Sequence, residues 1–465
     1  GRWSRGLGDV YKRQPVAGIT SLHNHVVDGC VEGHCDCMYM VNTYRWDYPM
    51  VAALVAPRPL LISNTDKDRI FPLDGVVDVY TKVRKIYRLY DAEDKLGLHI
   101  TEGPHKDTQE LRVHAFRWLN RFLKNDESLI EQAAVKFFEP QQLRVFGKDL
   151  PSDEIVTRVH ESFVSAVSPN AIPNNQKDYE RARDEWLTDL SAKTFRSWPD
   201  QDERIDLDVE TVSEVTQGGI RVAKVQFSSQ PPYRLAMYVI AAAAADDAPM
   251  NPAIEVEVLD QNGWERLAPV LAAIGVEDFN DDEQTPEGDA SWKKLSDKLA
   301  AGPQQVLVYC LPRGVGPTEW SREERKRTQI RRRFMQLGQT AATMQIWDVR
   351  RALQAIDQIP AFASSEREIH ATGDAAVWSL HASLWEPRIT GLTLSDLPTT
   401  NRQAPDLLNV SRVVELTHVL LMAADRAESI ELVGDSSDRE AWQPVLKCEL
   451  AAAQRVRFTP KSTSE

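Results

Sequence analysis

The stretch from residue 55 to residue 72 reads VAPRPLLISNTDKDRIFP and decides the fold class. Its apolar centre follows a Pro-Arg-Pro breaker and has the length and composition of a buried strand. Asp66 and Asp68 come directly after that strand, and Pro72 stands where the next element would begin. Residues 74–90 then carry apolar side chains at helical spacing. This stretch therefore predicts a strand, an acidic loop and a helix.

A second strand and a second helix follow in the same order. Residues 97–101 are predicted to form the strand, and residues 107–123 repeat apolar positions at helical spacing. His105 lies in the loop between them. Strand, helix, strand, helix is the order of an α/β layer structure and predicts a parallel strand pair joined by a right-handed crossover. We place this unit at residues 15–123.

The remainder of the chain divides into a connector and a second α/β region. Prolines interrupt residues 124–202 and leave helical pieces, which predicts a helical connector. Strand patterns occur at residues 205–212, 219–227, 234–242, 253–259, 305–309, 368–371 and 389–394, with a helix predicted over residues 328–357. Residues 203–465 are therefore expected to repeat the α/β order of the first region.

Composition limits the classes of function. The 465 residues favour two or three domains, and 55 basic against 69 acidic residues leave a net charge of −14. An acidic chain argues against a general partner of nucleic acid or of anionic membranes, because both reward basic surface. No apolar run approaches the roughly eighteen residues that a spanning helix needs. We expect an acidic soluble protein that binds neither nucleic acid nor membrane.

The loops after the first two strands carry residues suited to hydrolysis. A nucleophilic hydrolase built on an α/β sheet takes a nucleophile, an acid and a histidine from successive strand ends, in that chain order. Asp68 and His105 fit the last two places. The acid would hold the imidazole in the tautomer that accepts a proton. Spacing alone also allows the simpler interpretation that both are solvated loop residues.

Three motifs in residues 16–123 make the pattern more specific: VAPRPLL at 55–61, DKDRIFP at 66–72 and EGPH at 102–105. With them, this region resembles the C-terminal part of an α/β-hydrolase of the acetylxylan-esterase and prolyl-oligopeptidase-like group. The resemblance implies Asp68 as the acid and His105 as the base of a catalytic triad, with Asp66 as the alternative acid. It also implies a carboxylic-ester hydrolase with a small-molecule or carbohydrate ester substrate and no cofactor.

The nucleophile of that family is not found in this sequence. The family pattern places a serine in a Gly-x-Ser-x-Gly turn before the strand that ends near residues 16–18, and no such motif occurs among the 465 residues. We expect a first domain that lacks its early part and has no esterase activity by itself. Residues 1–14, GRWSRGLGDVYKRQ, resemble a translated adapter at the edge of a metagenomic gene fragment, or else a basic tag.

A cluster of possible metal ligands precedes the first strand. It consists of His23, His25, Cys30, His34, Cys35 and Cys37. The cysteine spacing matches no recognised zinc motif, and no second pair follows at a zinc-finger distance. A loop with buried thiols, a disulfide and a metal site all stay open, and we expect no metal.

The second α/β region shows the positions of a hydrolase without its reactive groups. At the expected nucleophile turn the chain reads HATGDAA, which puts Gly373 in the nucleophile position. Asp374 is a weaker alternative nucleophile, since no base lies near it in sequence. No histidine follows His418, although an acidic loop occurs at residues 434–438. We therefore predict a catalytically degenerate α/β-hydrolase-like domain over residues 203–465.

One loop of that domain admits three interpretations. Residues 311–317, LPRGVGP, follow a predicted strand and resemble the oxyanion-side loop of an α/β-hydrolase. A plain glycine and proline turn fits equally well. Phosphate binding is a weaker possibility, because the loop lacks the Lys and Ser/Thr of a P-loop.

Two functions of different classes follow for the whole protein. The first is a serine ester hydrolase that uses Asp68 and His105. The second is a non-catalytic binding or scaffold protein built from hydrolase-like domains. A serine turn in the sequence preceding residue 15 would discriminate between them.

Overall fold

The computed structural model divides the chain into two compact units. It describes residues 18–33, 41–130, 138–147, 150–163, 165–199, 207–243, 252–276, 285–301 and 305–461. Unit 1 comprises Gly1–Phe163 and Glu323–Gly338, and unit 2 comprises Val164–Arg322 and Gln339–Glu465. In the ranges that the structure describes, no helix has the length and apolar character needed to cross a bilayer.

Unit 1 contains a parallel pair of strands flanked by helices. Its elements, numbered in chain order, are α1 Leu22–Val26, α2 Tyr48–Ala53, β1 Leu60–Thr65, α3 Leu73–Leu89, β2 Leu96–Thr101, α4 Gln109–Lys124 and α8 Glu324–Gln336. β1 and β2 are parallel, with Leu60 opposite Leu96. The strands and helices predicted from residues 55–123 are thus confirmed, including the parallel pairing.

Helix α3 supplies the core of unit 1. Val76, Val79 and Val83 lie on its inner face, are completely buried, and pack in one cluster with Leu60 and Ile62 of β1. Burying a valine side chain contributes roughly 1.5–3 kcal/mol, so this helical stripe fixes α3 against the strand. The strand end that carries the acidic loop is held in place as a result.

Unit 2 is a mixed α/β structure around one large, mostly parallel sheet. In its described part the strands are β3 Glu210–Gln217, β4 Ile220–Gln230, β5 Tyr233–Ala242, β6 Ile254–Val258, β7 Val306–Cys310, β8 Arg367–Thr372, β9 Ile389–Ser395, β10 Ser429–Gly434 and β11 Val456–Pro460. Their order across the sheet is β11-β10-β9-β8-β6-β7-β5-β4-β3. β3, β4, β5 and β7 pair antiparallel in succession, and the remaining pairs are parallel.

The strands predicted for unit 2 are found, but one of them lies further along the chain than predicted. The strand expected at residues 205–212 begins at Glu210 and runs to Gln217. Strands β10 and β11 extend the sheet beyond the predicted elements. Both have residues exposed on one face, so neither shows the continuous apolar run that marks a buried parallel strand.

The helices of unit 2 cover the sheet. They are α5 Gln176–Asp189, α6 Gln261–Ile274, α7 Pro286–Ala301, α9 Ala341–Gln358, α10 Asp374–Ala382, α11 Val410–Val413, α12 Leu416–Ala424 and α13 Gln443–Leu446. Leu267 and Leu271 of α6 and Leu299 of α7 pack in one cluster with Ile240 of β5 and Leu307 of β7.

The single helix predicted over residues 328–357 is wrong, because the chain forms α8 and α9 there with a break between them. Gly338 has a φ of 73°, and a Cβ on it would lie 2.4 Å from the Asn42 carbonyl oxygen. A left-handed residue ends a helix. Thr340 then starts α9 by accepting a hydrogen bond from the Thr343 amide.

The unit boundary falls inside the predicted connector. Residues 124–163 belong to unit 1, and residues 164–202, which contain α5, belong to unit 2. The domain boundaries given above, 15–123, 124–202 and 203–465, stay predictions. The leader at residues 1–14 lies outside the described residues.

Candidate functional site

The loop after β1 presents a buried carboxylate. The Asp68 side chain has no exposed surface, and its Oδ1 accepts hydrogen bonds from the amides of Ile70 and Phe71, each at 3.0 Å. Its Oδ2 lies 2.8 Å from Nδ1 of His105. A carboxylate engaged by three donors is held in one orientation, which is what an orienting acid requires.

Asp66 and Asp68 have different partners, although the sequence allows either of them to be the acid of the triad. Oδ1 of Asp66 accepts a hydrogen bond from the Gly103 amide at 2.8 Å and lies on the exposed side of the loop. Of the two aspartates, Asp68 is the one that bonds to His105. Asp66 therefore ties the two loops together. Sequence spacing carries no signal for this division, because both side chains follow the same strand.

The histidine loop is joined to the acidic loop by several further bonds. The Asp66 amide donates to the Thr101 carbonyl at 2.9 Å, and the Lys67 amide donates to the Gly103 carbonyl at 3.0 Å. The Thr65 hydroxyl donates to the Pro104 carbonyl at 3.0 Å. These bonds fix the two strand ends relative to one another before any substrate is present.

His105 presents one ring nitrogen outward. Because a carboxylate can only accept, Nδ1 donates to Asp68, and in the neutral imidazole Nε2 then has the lone pair. In the described ranges Nε2 has no hydrogen-bond partner, and the side chain is 47% exposed. The Phe71 ring stacks on the imidazole with centroids 5.7 Å apart. The ring is therefore oriented on one side and available for proton transfer on the other.

The cysteine and histidine cluster is dispersed where the structure describes it. His23 is exposed beside Asp28, whereas His25 is buried with its ring 4.9 Å from that of Tyr48. Cys30 is buried, and its thiol lies 3.6 Å from the Arg69 carbonyl oxygen. His34, Cys35 and Cys37 lie outside the described residues.

Metal binding has no support from the part of the cluster that is placed. Burial, together with the negative charge of Asp28, raises the pKa of the Cys30 thiol, which disfavours the thiolate that a metal would need. Among the residues that the structure describes, no group of three His, Cys, Asp or Glu side chains is arranged to hold a metal ion.

The turn after β8 in unit 2 has an unusual backbone. Gly373 adopts φ 61° and ψ −123°, and α10 begins at the next residue. This is a sharp strand-to-helix turn of the kind that exposes the nucleophile in an α/β-hydrolase. The glycine predicted at that position therefore lies in such a turn, but it has no side chain with which to attack. A Cβ there would meet only Asp260 Oδ2, at 3.4 Å.

The other strand ends of unit 2 bring a carboxylate and a lysine together. Asp396 follows β9, Lys461 follows β11, and their Oδ1 and Nζ atoms are 2.6 Å apart. The hydrogen bond that Lys461 donates to Asp396 raises the pKa of the lysine. Lys461 is thereby kept as a cation and cannot serve as a base.

The placed histidines of unit 2 lie elsewhere. His381 is buried in α10 with Nδ1 2.9 Å from the Val377 carbonyl, and burial lowers its pKa to about 4. His418 is buried in α12, and burial lowers its pKa as well. His370 lies within β8. Its Nε2 is 3.9 Å from Oε2 of Glu368 on the same strand. In the described part of unit 2, no histidine lies in a loop that follows a strand.

The loop at residues 311–317 uses its amides internally. Arg313 N donates to Asp348 at 2.9 Å, Gly314 N to Thr318 at 3.0 Å and Gly316 N to Gln261 at 3.0 Å. Val315 N donates to the Pro312 carbonyl at 3.2 Å. An oxyanion or phosphate site needs amides that point at the ligand. The loop is therefore a structural turn, and the oxyanion and phosphate interpretations are wrong.

The chain was compared with known proteins by sequence and by structure. No protein-family model matches the sequence, and no curated protein is similar to it in sequence. By structure it is similar to a putative acetyl xylan esterase from Bacteroides fragilis, with 13% identity over 70% of this chain and 87% of that one and a TM-score of 0.46. A glucuronoyl esterase from Solibacter usitatus matches with 13% identity over 65% and 94% of the chains and a TM-score of 0.46.

Acetyl xylan esterase 1 from Thermoanaerobacterium is also similar. The two chains are 11% identical over 67% of this chain and 91% of the other, with a TM-score of 0.34.

Proposed function

We propose that unit 1 carries the acid and the base of a serine-type carboxylic-ester hydrolase, with Asp68 as the acid and His105 as the base. The observation that carries the proposal is the 2.8 Å contact between a buried, amide-held carboxylate and a half-exposed imidazole at adjacent strand ends. If the two were solvated loop residues, the Asp68 side chain would be neither buried nor bonded by two backbone amides.

In the proposed reaction, each of the two residues has a defined role. Nε2 of His105 accepts the proton of the serine hydroxyl as its oxygen attacks the acyl carbon, and Asp68 stabilises the imidazolium that forms. The same Nε2–H then protonates the departing alcohol. In the second half of the reaction Nε2 takes a proton from water as the water attacks the acyl-enzyme. The acyl–serine bond then breaks, the acid is released, and the proton on Nε2 returns to the serine oxygen. The amides of Ile70 and Phe71 hold the Asp68 carboxylate in the same orientation throughout the reaction.

The nucleophile is not supplied by a recognisable serine turn in this chain. No Gly-x-Ser-x-Gly occurs in the sequence, and the corresponding turn of unit 2 carries Gly373. The 465 residues by themselves are therefore expected to hydrolyse no ester. Unit 2 is proposed to be a second α/β-hydrolase-like domain without catalytic residues, a proposal supported by its sheet, by the Gly373 turn and by the Asp396–Lys461 pair.

The substrate class follows from the resemblance given above. We propose an acylated carbohydrate or a small-molecule ester, attacked at a carboxylic-ester bond. The domain boundaries that accompany this proposal are residues 15–123 for the hydrolase part, 124–202 for the connector and 203–465 for the degenerate domain.

The test is ester turnover by two forms of the protein. The 465-residue chain should release no p-nitrophenol from p-nitrophenyl acetate above buffer. A longer product of the gene, extended at the N-terminus to include a serine turn, should turn the ester over. His105→Ala should reduce that turnover on the order of 10⁴-fold or more, because triad members act as a unit. His23→Ala removes an exposed histidine of the same unit and should change nothing.

Two results would overturn the proposal. Steady turnover by the 465-residue chain that disappears in His105→Ala would show that the chain contains its own nucleophile. Full activity of the extended protein after His105→Ala would remove His105 from the reaction.

A further inference from the structure

A cavity in unit 2 lies between the sheet and helices α6 and α7. It has a volume of about 330 Å³. Leu259, Leu267, Val270 and Leu295 form its apolar part. Clefts with a mainly apolar wall and a few polar groups are the usual form of small-molecule sites, and this volume is at the lower end of their range.

Six polar side chains also line this cavity, and two of them, Ser291 and Lys298, are not used in the site proposed below. Glu257 comes from β6 and Tyr309 from β7, while Arg266 comes from α6 and Lys294 from α7. Glu257 is directly opposite Tyr309 in the strand register, so their side chains stand next to each other on the same face of the sheet. The carboxylate is half-buried, and the two cations lie on the exposed helix surfaces.

The charges around the cavity are not neutralised by the protein. In the described part of the chain, Glu257, Arg266 and Lys294 make no hydrogen bond and no ion pair within 4 Å. Burial raises the pKa of Glu257, and the positive charge of Arg266 opposes that rise only at a distance. Holding a half-buried carboxylate without a partner costs folding free energy, which a ligand with a matching charge would recover.

Glu255, on the same strand as Glu257, is a glutamate whose charge is paired within the protein. Glu255 accepts a hydrogen bond from Lys298 at 3.0 Å and another from Gln305 at 2.7 Å. Two residues further along β6, Glu257 shares the cavity with Arg266, Lys294 and Lys298 and is bonded to none of them. Lys298 is already paired with Glu255. The difference separates a residue that holds the fold from one that is available to a ligand.

We propose that this cavity binds a small zwitterion of the amino-acid type. The ligand's ammonium group binds the Glu257 carboxylate and the Tyr309 hydroxyl, and its carboxylate binds Arg266 and Lys294. A simple cation would leave two positive charges unmatched, and a simple anion would face the Glu257 carboxylate. The site is independent of the ester hydrolysis proposed for unit 1.

The experiment measures L-alanine binding to the full 465-residue chain by saturation-transfer NMR and by the shift of the unfolding temperature. Propionate and ethylamine, which each carry one of the two charges, are the comparison ligands. L-Alanine should bind and raise the unfolding temperature, whereas neither comparison ligand should. Glu257→Gln and Lys294→Met should each weaken L-alanine binding by about tenfold or more, because each removes a charged hydrogen-bond partner.

Lys293→Met is the matched control, because Lys293 lies beside Lys294 on α7 but does not line the cavity. It should bind L-alanine with unchanged affinity. Lys294 is exposed and has no partner among the described residues, so Lys294→Met decides the question even if Glu257→Gln fails to fold. Unchanged binding by Lys294→Met, equal binding of propionate and L-alanine, or no binding of L-alanine would overturn the proposal.

Discussion

Units 1 and 2 each place an acidic and a basic side chain in contact at the ends of parallel strands, yet only one of the two pairs is suited to proton transfer. In unit 1 the pair is Asp68 and His105, 2.8 Å apart, with the carboxylate buried. In unit 2 it is Asp396 and Lys461, 2.6 Å apart, with both side chains more than 40% exposed. Imidazole exchanges protons near neutral pH, whereas a lysine paired with a carboxylate stays charged.

The comparison teaches that strand-end geometry and catalytic chemistry are separable. The Gly373 turn of unit 2 keeps a backbone that could expose a nucleophile but has no nucleophile. The loop at residues 311–317 gives its amides to internal acceptors. Under the proposal made for unit 2, the turn is the framework of a site without its reactive group, and the polar groups of the 311–317 loop stabilise the fold.

The largest expected effect tests that structural use of polar groups. Asp348 is buried and accepts hydrogen bonds from the backbone and the guanidinium of Arg313, which is also buried. Asp348→Asn should lower the free energy of unfolding by about 3–5 kcal/mol, because it leaves a buried cation without its counter-charge. Urea unfolding measures the change. Asp396→Asn, which breaks the exposed pair, should cost no more than about 1 kcal/mol. Equal costs would contradict the account.

The next effect separates a structural histidine from a functional one. His381 is buried and neutral, with its pKa lowered to about 4, while the unfolded chain takes up a proton near pH 6.5. Stability from this residue is complete above pH 6.5 and is lost as the pH falls toward 4, by about 3 kcal/mol in total. His381→Leu should flatten that part of the stability profile. The exposed His23→Leu should leave it unchanged. A wild-type slope in His381→Leu would show that His381 does not titrate in this way.

A smaller effect tests the Gly373 turn. Any residue with a side chain is strained at this backbone conformation, so Gly373→Ser should destabilise the protein by about 1–3 kcal/mol in urea unfolding. Gly373→Ala should cost the same, since the added Cβ meets only Asp260 Oδ2 at 3.4 Å. Neither variant should hydrolyse p-nitrophenyl acetate, because no histidine stands at the described strand ends of unit 2. Turnover by Gly373→Ser would contradict the interpretation of unit 2.

Sequence patterns predicted the helices and strands whose formation depends on residues close together in the chain. The helical spacing of Val76, Val79 and Val83 located α3, and the chain order of Asp68 and His105 located the candidate pair. What the sequence could not decide depends on partners distant in the chain. Asp66 bonds to Gly103 and Asp68 bonds to His105, and neither partner can be predicted from their positions after the same strand.

The same limit explains the wrong helix prediction and why the interpretation of the loop at residues 311–317 stayed open. Gly338 ends a helix because its backbone is left-handed and lies close to Asn42. Asn42 is distant in sequence, so the pattern of residues 328–357 cannot predict this contact. The amides of the loop at residues 311–317 are occupied by Asp348, Thr318 and Gln261, so a loop with the composition of an anion site is a structural turn.

The most direct test of the central claim is the NMR spectrum of the His105 imidazole in the 465-residue chain, which needs no nucleophile. We predict the Nδ1–H tautomer, with a downfield, exchange-protected Nδ1 proton that is lost in Asp68→Asn and retained in Asp66→Asn. An Nε2–H tautomer, or a proton that survives Asp68→Asn, would show that Asp68 does not orient His105 and would contradict the assignment of the pair.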